Sequence, residues 1–175
     1  MKSRFLFAAM AFAVVGCATP TPTSTATEPT ETETDSDGEP MKTEHADVLQ
    51  VTLEPTAGAV AGGPLLVRMR VQNPSTTSAR FCTYHTLFEG LRNNILDVKD
   101  AAGVSVAYRG VMAKRAPPGP KDFVEVPAGG VLVSEAVDVS EGYAVPVGAG
   151  TLTFTGSDIS GLSASPPVKI DVVTP

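Results

Sequence analysis

The alternation of apolar and polar residues between Leu65 and Gln72 constrains the fold of this chain more than any other feature. Alternate side chains of an extended chain lie on opposite faces, and one face here carries Leu65, Val67, Met69 and Val71. The opposite face carries Leu66, Arg68, Arg70 and Gln72. A period of two predicts a half-buried strand, which Asn73-Pro74 ends.

Shorter stretches of the same kind follow one another along residues 46–175. We predict a strand in residues 46–55, marked by Val48, Gln50 and Leu53, and further strands in residues 78–86, 150–156 and 167–173. Two hairpins are predicted, in residues 94–108 with a turn at 100–103 and in residues 122–139 with a turn at 127–130. Because Gly and Pro separate the strands and no long helical period occurs, residues 46–175 are predicted to form an immunoglobulin-like antiparallel β-sandwich, an all-β fold.

The first residues have the pattern of an export signal. Lys2 and Arg4 precede an apolar run at residues 5–15 that is too short to span a bilayer stably. Residues 14–17, VVGC, resemble a bacterial lipobox, so residues 1–16 are predicted to be a lipoprotein signal peptide and Cys17 the lipidated residue that anchors the chain to a membrane. Since Ala18 is not aspartate, the outer membrane is favoured over the inner. A simple secretory signal, with Cys17 an incidental thiol, is the alternative.

Charge is distributed unevenly between a tether and a domain. Residues 17–45 consist mainly of Thr, Pro, Glu and Asp, and seven acidic residues face one basic residue between Ala18 and His45. Such a segment buries too little apolar surface to order, so we predict a disordered tether. From Ala46 onward twelve acidic and ten basic residues nearly balance, which gives no electrostatic case for a nucleic-acid partner.

The motifs that mark common catalytic sites are missing from the sequence, although the Ser, His and Asp residue types of a catalytic triad are present. It has two histidines, no HExxH pattern, no GxSxG elbow and no Gly-rich phosphate loop, so we predict no catalytic residue, metal, cofactor or small-molecule substrate. Cys82 is predicted to be a buried small hydrophobic residue. A nucleophilic Cys82 with His85, and a copper site from these two with Met69 and Met112, are the less favoured alternatives.

The middle of the chain resembles the N-terminal pro-region of bacterial deuterolysin-type, or peptidyl-Lys, zinc endopeptidases. The ordered matching pieces, in residues 81–156, are Thr86, Phe88, Glu89, Gly90, Val98, Val106, Tyr108, Gly110, Lys114, Arg115, Pro117, Phe123, Pro127, Gly129, Val137, Asp138 and Tyr143. The sequence departs from the family at Leu87, where the family has Pro, and at the string RAPP in residues 115–118. The family's catalytic domain is missing from the sequence, so the resemblance implies the fold and a protease-facing surface rather than proteolysis.

The resemblance implies that this lipoprotein binds a secreted zinc metalloprotease, as inhibitor or folding aid. Prolines lower the entropy cost of presenting a loop, and the predicted partner-binding residues are Tyr108, Phe88, Glu89, Lys114, Arg115 and Pro117. The alternative is a structural or adhesive immunoglobulin-like envelope module without a protease partner.

Two nearby segments have structural interpretations as well. Lys114 and Arg115 could be solvated, or could form salt bridges with Asp122 or Glu125 that hold the loop on the sheet; cleavage at this pair is the weakest interpretation. Residues 83–94 are predicted to form a loop or single helical turn that fills the core between the sheets.

Overall fold

A computed structural model describes residues 45–56 and 58–175 of the chain. The predicted signal peptide, Cys17 and the predicted tether up to Glu44 lie outside the described residues. In the described part the fold is all-β, as predicted, and its helical segments are single 3₁₀ turns at Ala46–Val48, Leu87–Glu89, Pro120–Asp122 and Val139–Glu141.

Nine strands form the described domain. They are β1 (Gln50–Pro55), β2 (Leu66–Gln72), β3 (Ala79–Cys82), β4 (Leu96–Lys99), β5 (Phe123–Val126), β6 (Val131–Val133), β7 (Val137–Asp138), β8 (Gly148–Phe154) and β9 (Val168–Val172). All pairings between them are antiparallel.

The strands are arranged in two main sheets and a separate pair. In one sheet β2 lies between β1 and the successive short strands β6 and β7; in the other, β8 lies between β4 and β9. β3 and β5 form the separate pair. β1 packs against β8 and β9, and the fully buried residues between the layers include Met69, Phe81, Leu152 and Phe154. The arrangement is that of a β-sandwich.

The predicted strand at Leu65–Gln72 is confirmed with its predicted faces. Val67, Met69 and Val71 have no exposed surface, whereas Arg68 on the opposite face is exposed. The end of β1 at Pro55 is confirmed. Of the residues predicted to mark this strand, Leu53 is confirmed and Val48 and Gln50 are wrong. Val48 lies in a 3₁₀ turn and Gln50 is exposed; Val51 and Leu53 form the buried face.

The predicted hairpin at residues 122–139 is wrong. The backbone does turn at Pro127, whose C=O accepts the Gly130 N–H at 2.8 Å, but β5 pairs with β3 and β6 pairs with β2. The turn therefore carries the chain from one sheet to another. Alternation reports which face of a strand is buried and says nothing of its neighbour, so the sequence pattern was compatible with either pairing.

The strand after this turn is also interrupted where alternation predicts continuity. The Ser134 Oγ accepts the Met69 N–H at 2.9 Å, and Ser134 is buried. A side chain thus replaces a backbone partner between β6 and β7. The other predicted hairpin is present in reduced form: Val106 N–H donates to the Val98 C=O at 2.7 Å, and the turn closes on Asp100, but the returning chain forms isolated bridges rather than a strand.

Candidate partner-binding surface

Two of the predicted partner-binding residues, Glu89 and Arg115, meet in an ion pair. Arg115 Nη2 lies 2.8 Å from Glu89 Oε2, and the side chains are 31% and 8% exposed. The Arg115 guanidinium also lies over the Tyr84 ring, 4.7 Å from its centroid. A planar cation stacked on an aromatic face and paired with a shielded carboxylate holds one orientation more firmly than a solvated cation does.

The 3₁₀ turn Leu87–Glu89 positions the carboxylate of this pair. Thr86 Oγ1 accepts the Phe88 N–H at 3.2 Å and caps the turn, while Leu87 and Thr86 are buried. Glu89 Oε1 accepts the His85 N–H at 2.9 Å, and His85 adopts a left-handed φ of 58°. Glu89 is therefore held by its own segment. The core-filling turn predicted for residues 83–94 is confirmed.

The predicted ion-pair partners of Arg115, Asp122 and Glu125, are wrong. Asp122 Oδ2 instead accepts the Gly119 N–H at 2.8 Å and the Tyr84 hydroxyl at 3.2 Å. Glu125 lies exposed on β5, in register with Arg80 on β3. The carboxylate that Arg115 contacts is instead 26 positions earlier in the chain, at Glu89.

A long segment without strands, residues 109–119, carries Arg115 and is fastened at several points. The Arg109 N–H donates to the Gly142 C=O at 2.7 Å, and the Ala113 N–H donates to the Arg92 C=O at 2.9 Å. The Gly119 bond to Asp122 fastens its far end. We call residues 109–119 the pinned loop.

Tyr108 supports the start of the pinned loop. Its hydroxyl donates to the Val111 C=O at 2.6 Å, and its ring packs on Tyr143 with the centroids 5.1 Å apart. A Cβ at Gly110 would lie 2.6 Å from the Tyr108 ring, so glycine leaves room for the ring to fold back under the loop. Because these contacts lie within the domain, they give Tyr108 a supporting role.

The predicted residues divide into exposed and supporting ones. Lys114 and Pro117 are exposed on the pinned loop. Phe88 is half-buried and packs edge-to-face on Phe81, with the centroids 5.2 Å apart. Their part in binding a partner stays a prediction. Three residues of this surface were not singled out for binding from the sequence: Tyr84, which holds Arg115, and Val111 and Met112, which are 64% and 67% exposed.

Among the described residues, the side chains that the sequence offered as a nucleophile or as copper ligands lie in different environments. Burial raises the pKa of the Cys82 thiol, and Asp122 and Glu89 raise it further against a bond from the Tyr84 backbone. Cys82 has no exposed surface, as predicted. Met69 is fully buried while Met112 is 67% exposed, so the two do not share a copper site. Within residues 45–56 and 58–175, no three His, Cys, Asp or Glu side chains group as metal ligands would.

Ser157 is the serine that the fold brings to His85. Ser157 Oγ lies 3.4 Å from His85 Nδ1 and accepts the Ile159 N–H at 3.2 Å. The second bond caps the turn at residues 157–160, so the hydroxyl has a structural function.

No helix of the described residues is both long and apolar enough to cross a bilayer.

Comparisons with known proteins neither support nor contradict the resemblance to the pro-regions. No protein-family model matches the chain, and no curated protein matches it.

Proposed function

We propose that this protein is a cell-envelope lipoprotein whose β-sandwich binds a secreted zinc metalloprotease of the deuterolysin type, as an inhibitor or folding aid. The observation that carries the proposal is the presentation of Lys114. This exposed cation stands beside Arg115, which is fixed by Glu89 and Tyr84, in a loop fastened at both ends.

Preorganisation makes such a loop suitable for binding. Ordering a flexible segment costs free energy on association, and a loop already held by hydrogen bonds, an ion pair and Pro117-Pro118 loses less. Several enzymes of the resembled group cleave at lysine, so a lysine on a fixed loop has the side chain that their specificity pocket accepts.

The proposal includes an immunoglobulin-like arrangement of the sandwich, which the strand order supports. In immunoglobulin domains one sheet contains the strand order A-B-E and the other C-F-G. The orders β1-β2-β6 and β4-β8-β9 match these if β4 takes the place of strand C. The pair β3-β5 is then an addition between strands B and E.

An inhibition assay tests the binding proposal. The full-length protein is titrated into a peptidyl-Lys zinc endopeptidase cleaving a lysine-containing peptide. We expect the wild type to slow cleavage and Lys114→Ala to weaken this inhibition at least about tenfold, as the loss of a central contact does. Lys169→Ala, which removes an exposed lysine from β9, is the matched control and should change nothing. If the wild type neither slows nor retains the enzyme, the proposal fails and an adhesive or structural module becomes the better interpretation.

Membrane anchoring is tested at Cys17. We expect the wild type to incorporate labelled fatty acid and to sediment with membranes, and Cys17→Ser to do neither, because acyl chains contribute about 0.8 kcal/mol per buried CH₂. Fatty-acid incorporation into the Cys17→Ser protein would contradict the assignment of the lipidated residue.

A further inference from the structure

The pinned loop exposes two large apolar side chains near its start. Val111 and Met112 are 64% and 67% exposed, more than any other large apolar residue in the described part of the chain. Their backbone is held, since the Tyr108 hydroxyl donates to the Val111 C=O and the next residue, Ala113, donates to Arg92. We call Val111 and Met112 the apolar tip.

The sequence on both sides of the apolar tip is basic. Residues 101–121 contain four cations, Arg109, Lys114, Arg115 and Lys121, and no acidic residue, although the domain as a whole is nearly balanced. Glu89 pairs with Arg115, and Asp122 bonds to Gly119 and Tyr84. Arg109 and Lys114, which flank the tip in sequence, are exposed.

We infer that the apolar tip enters the partner beside Lys114, and that the partner presents there an apolar groove rimmed by carboxylates. This inference rests on the proposed function and specifies how the protease is engaged. Val111 and Met112 fill the groove beside the pocket that accepts Lys114, while Arg109 meets the acidic rim. Arg115 supports the loop and does not contact the partner, because its guanidinium already pairs with Glu89 and stacks on Tyr84.

A protein groove fits this tip better than a lipid surface. Segments that enter bilayers use a wide apolar face with Trp, Phe or Leu, whereas here the exposed apolar residues are one valine and one methionine. The backbone at the tip is also held by a bond from the Tyr108 hydroxyl and by the backbone bond of Ala113 to Arg92, which favours shape-specific docking. Methionine adapts to irregular apolar pockets, and paired cations steer an acidic partner into register.

The test measures the affinity of the full-length protein for the peptidyl-Lys endopeptidase by surface plasmon resonance. We expect Val111→Ser with Met112→Ser to raise Kd at least about tenfold. Val104→Ser is the matched control, because Val104 is 61% exposed in the separate turn that closes on Asp100, and it should change Kd less than about twofold. Arg109→Gln should slow association and flatten its salt dependence, whereas Lys169→Gln should not.

The outcomes separate this inference from the proposed function. If the wild type binds and the double tip variant binds equally well, the inference is wrong and the proposed function stands. If the wild type does not bind the enzyme, both are wrong. A second arm uses sedimentation with vesicles of phosphatidylglycerol and phosphatidylcholine: binding that the tip substitutions abolish would assign the tip to a membrane and overturn the inference.

Discussion

Lys114 and Arg115 are neighbours of like charge with different environments. Both residues are exposed, but Arg115 is also stacked on Tyr84 and paired with a carboxylate that is 8% exposed. Removing one member of a shielded ion pair leaves the other charge without a counter-charge, and this lowers the stability of the fold more than the loss of a surface pair does. Glu89 therefore stabilises the conformation of the pinned loop around Arg115.

At this residue scale, Glu89→Gln is expected to lower the free energy of unfolding by about 1–2 kcal/mol, because Arg115 loses its counter-charge and is one-third exposed. Urea denaturation measures the change. Lys99→Met, which removes the more exposed pair of Lys99 with Asp97, is the control and should cost less than about 0.5 kcal/mol. Equal effects from the two substitutions would show that the Glu89 pair is no stronger than a surface pair.

At the scale of elements, Asn73 joins the end of β2 to β5. Its Nδ2 donates to the Thr77 C=O at 2.8 Å and to the Val126 C=O at 3.0 Å, and its Oδ1 accepts the Ser75 N–H at 3.0 Å. The residue is completely buried with its amide satisfied on both sides. The side chain thus connects one main sheet to the β3–β5 pair, next to the turn where the sequence predicts a hairpin.

Asn73→Ala is expected to destabilise the protein by about 2–3 kcal/mol, because it leaves the buried Val126 carbonyl without that donor. Amide hydrogen exchange should accelerate first in β5, the strand that the side chain holds. Ser75→Ala serves as the control, since its hydroxyl bonds at a partly exposed position and should cost less than about 1 kcal/mol. An Asn73→Ala protein as stable as the Ser75→Ala protein would contradict this role.

At the scale of the whole molecule, the tyrosines make stability depend on pH in alkali. Burial raises the pKa of Tyr143 from 10.0 to about 12, against a lowering bond from the Leu96 backbone, and burial also raises the pKa of Tyr108 and Tyr84. The Tyr143 hydroxyl lies 2.8 Å from both the Leu96 C=O and Asn94 Oδ1 and links the turn after β7 to β4. These are all three tyrosines of the sequence.

Because the folded pKa of Tyr143 lies above the unfolded value, the unfolded chain loses its proton first as the pH rises. The stabilisation is present in full below pH 10.0 and should be lost progressively towards about pH 12. Urea midpoints measured across this range should fall, with tyrosinate absorbance followed in parallel. Tyr143→Phe should be less stable at neutral pH and should show a shallower alkaline decline; a decline as steep as that of the wild type would contradict the assignment to Tyr143.

Much of the strand pattern could be predicted from particular residues. The burial of Val67, Met69 and Val71 follows from alternation alone, since a strand with one apolar face has one way to bury it. The buried Cys82 follows similarly from its apolar neighbours. The pairing of β5 with β3 could not be predicted in this way, because the turn at residues 127–130 is compatible with a hairpin or a crossing between sheets.

The sequence predicted most residues of the candidate surface, but it did not predict which residues they contact. The basic pair and its prolines stand out in the sequence, and the bond from the His85 N–H to Glu89 is a local contact between residues four positions apart. Only the tertiary structure decided that Arg115 reaches Glu89 and Tyr84, and that Val111 and Met112 are exposed. The physical reason is range: alternation and turn chemistry act over a few residues, whereas an ion pair between Glu89 and Arg115 depends on how β3, the 3₁₀ turn and the pinned loop pack together.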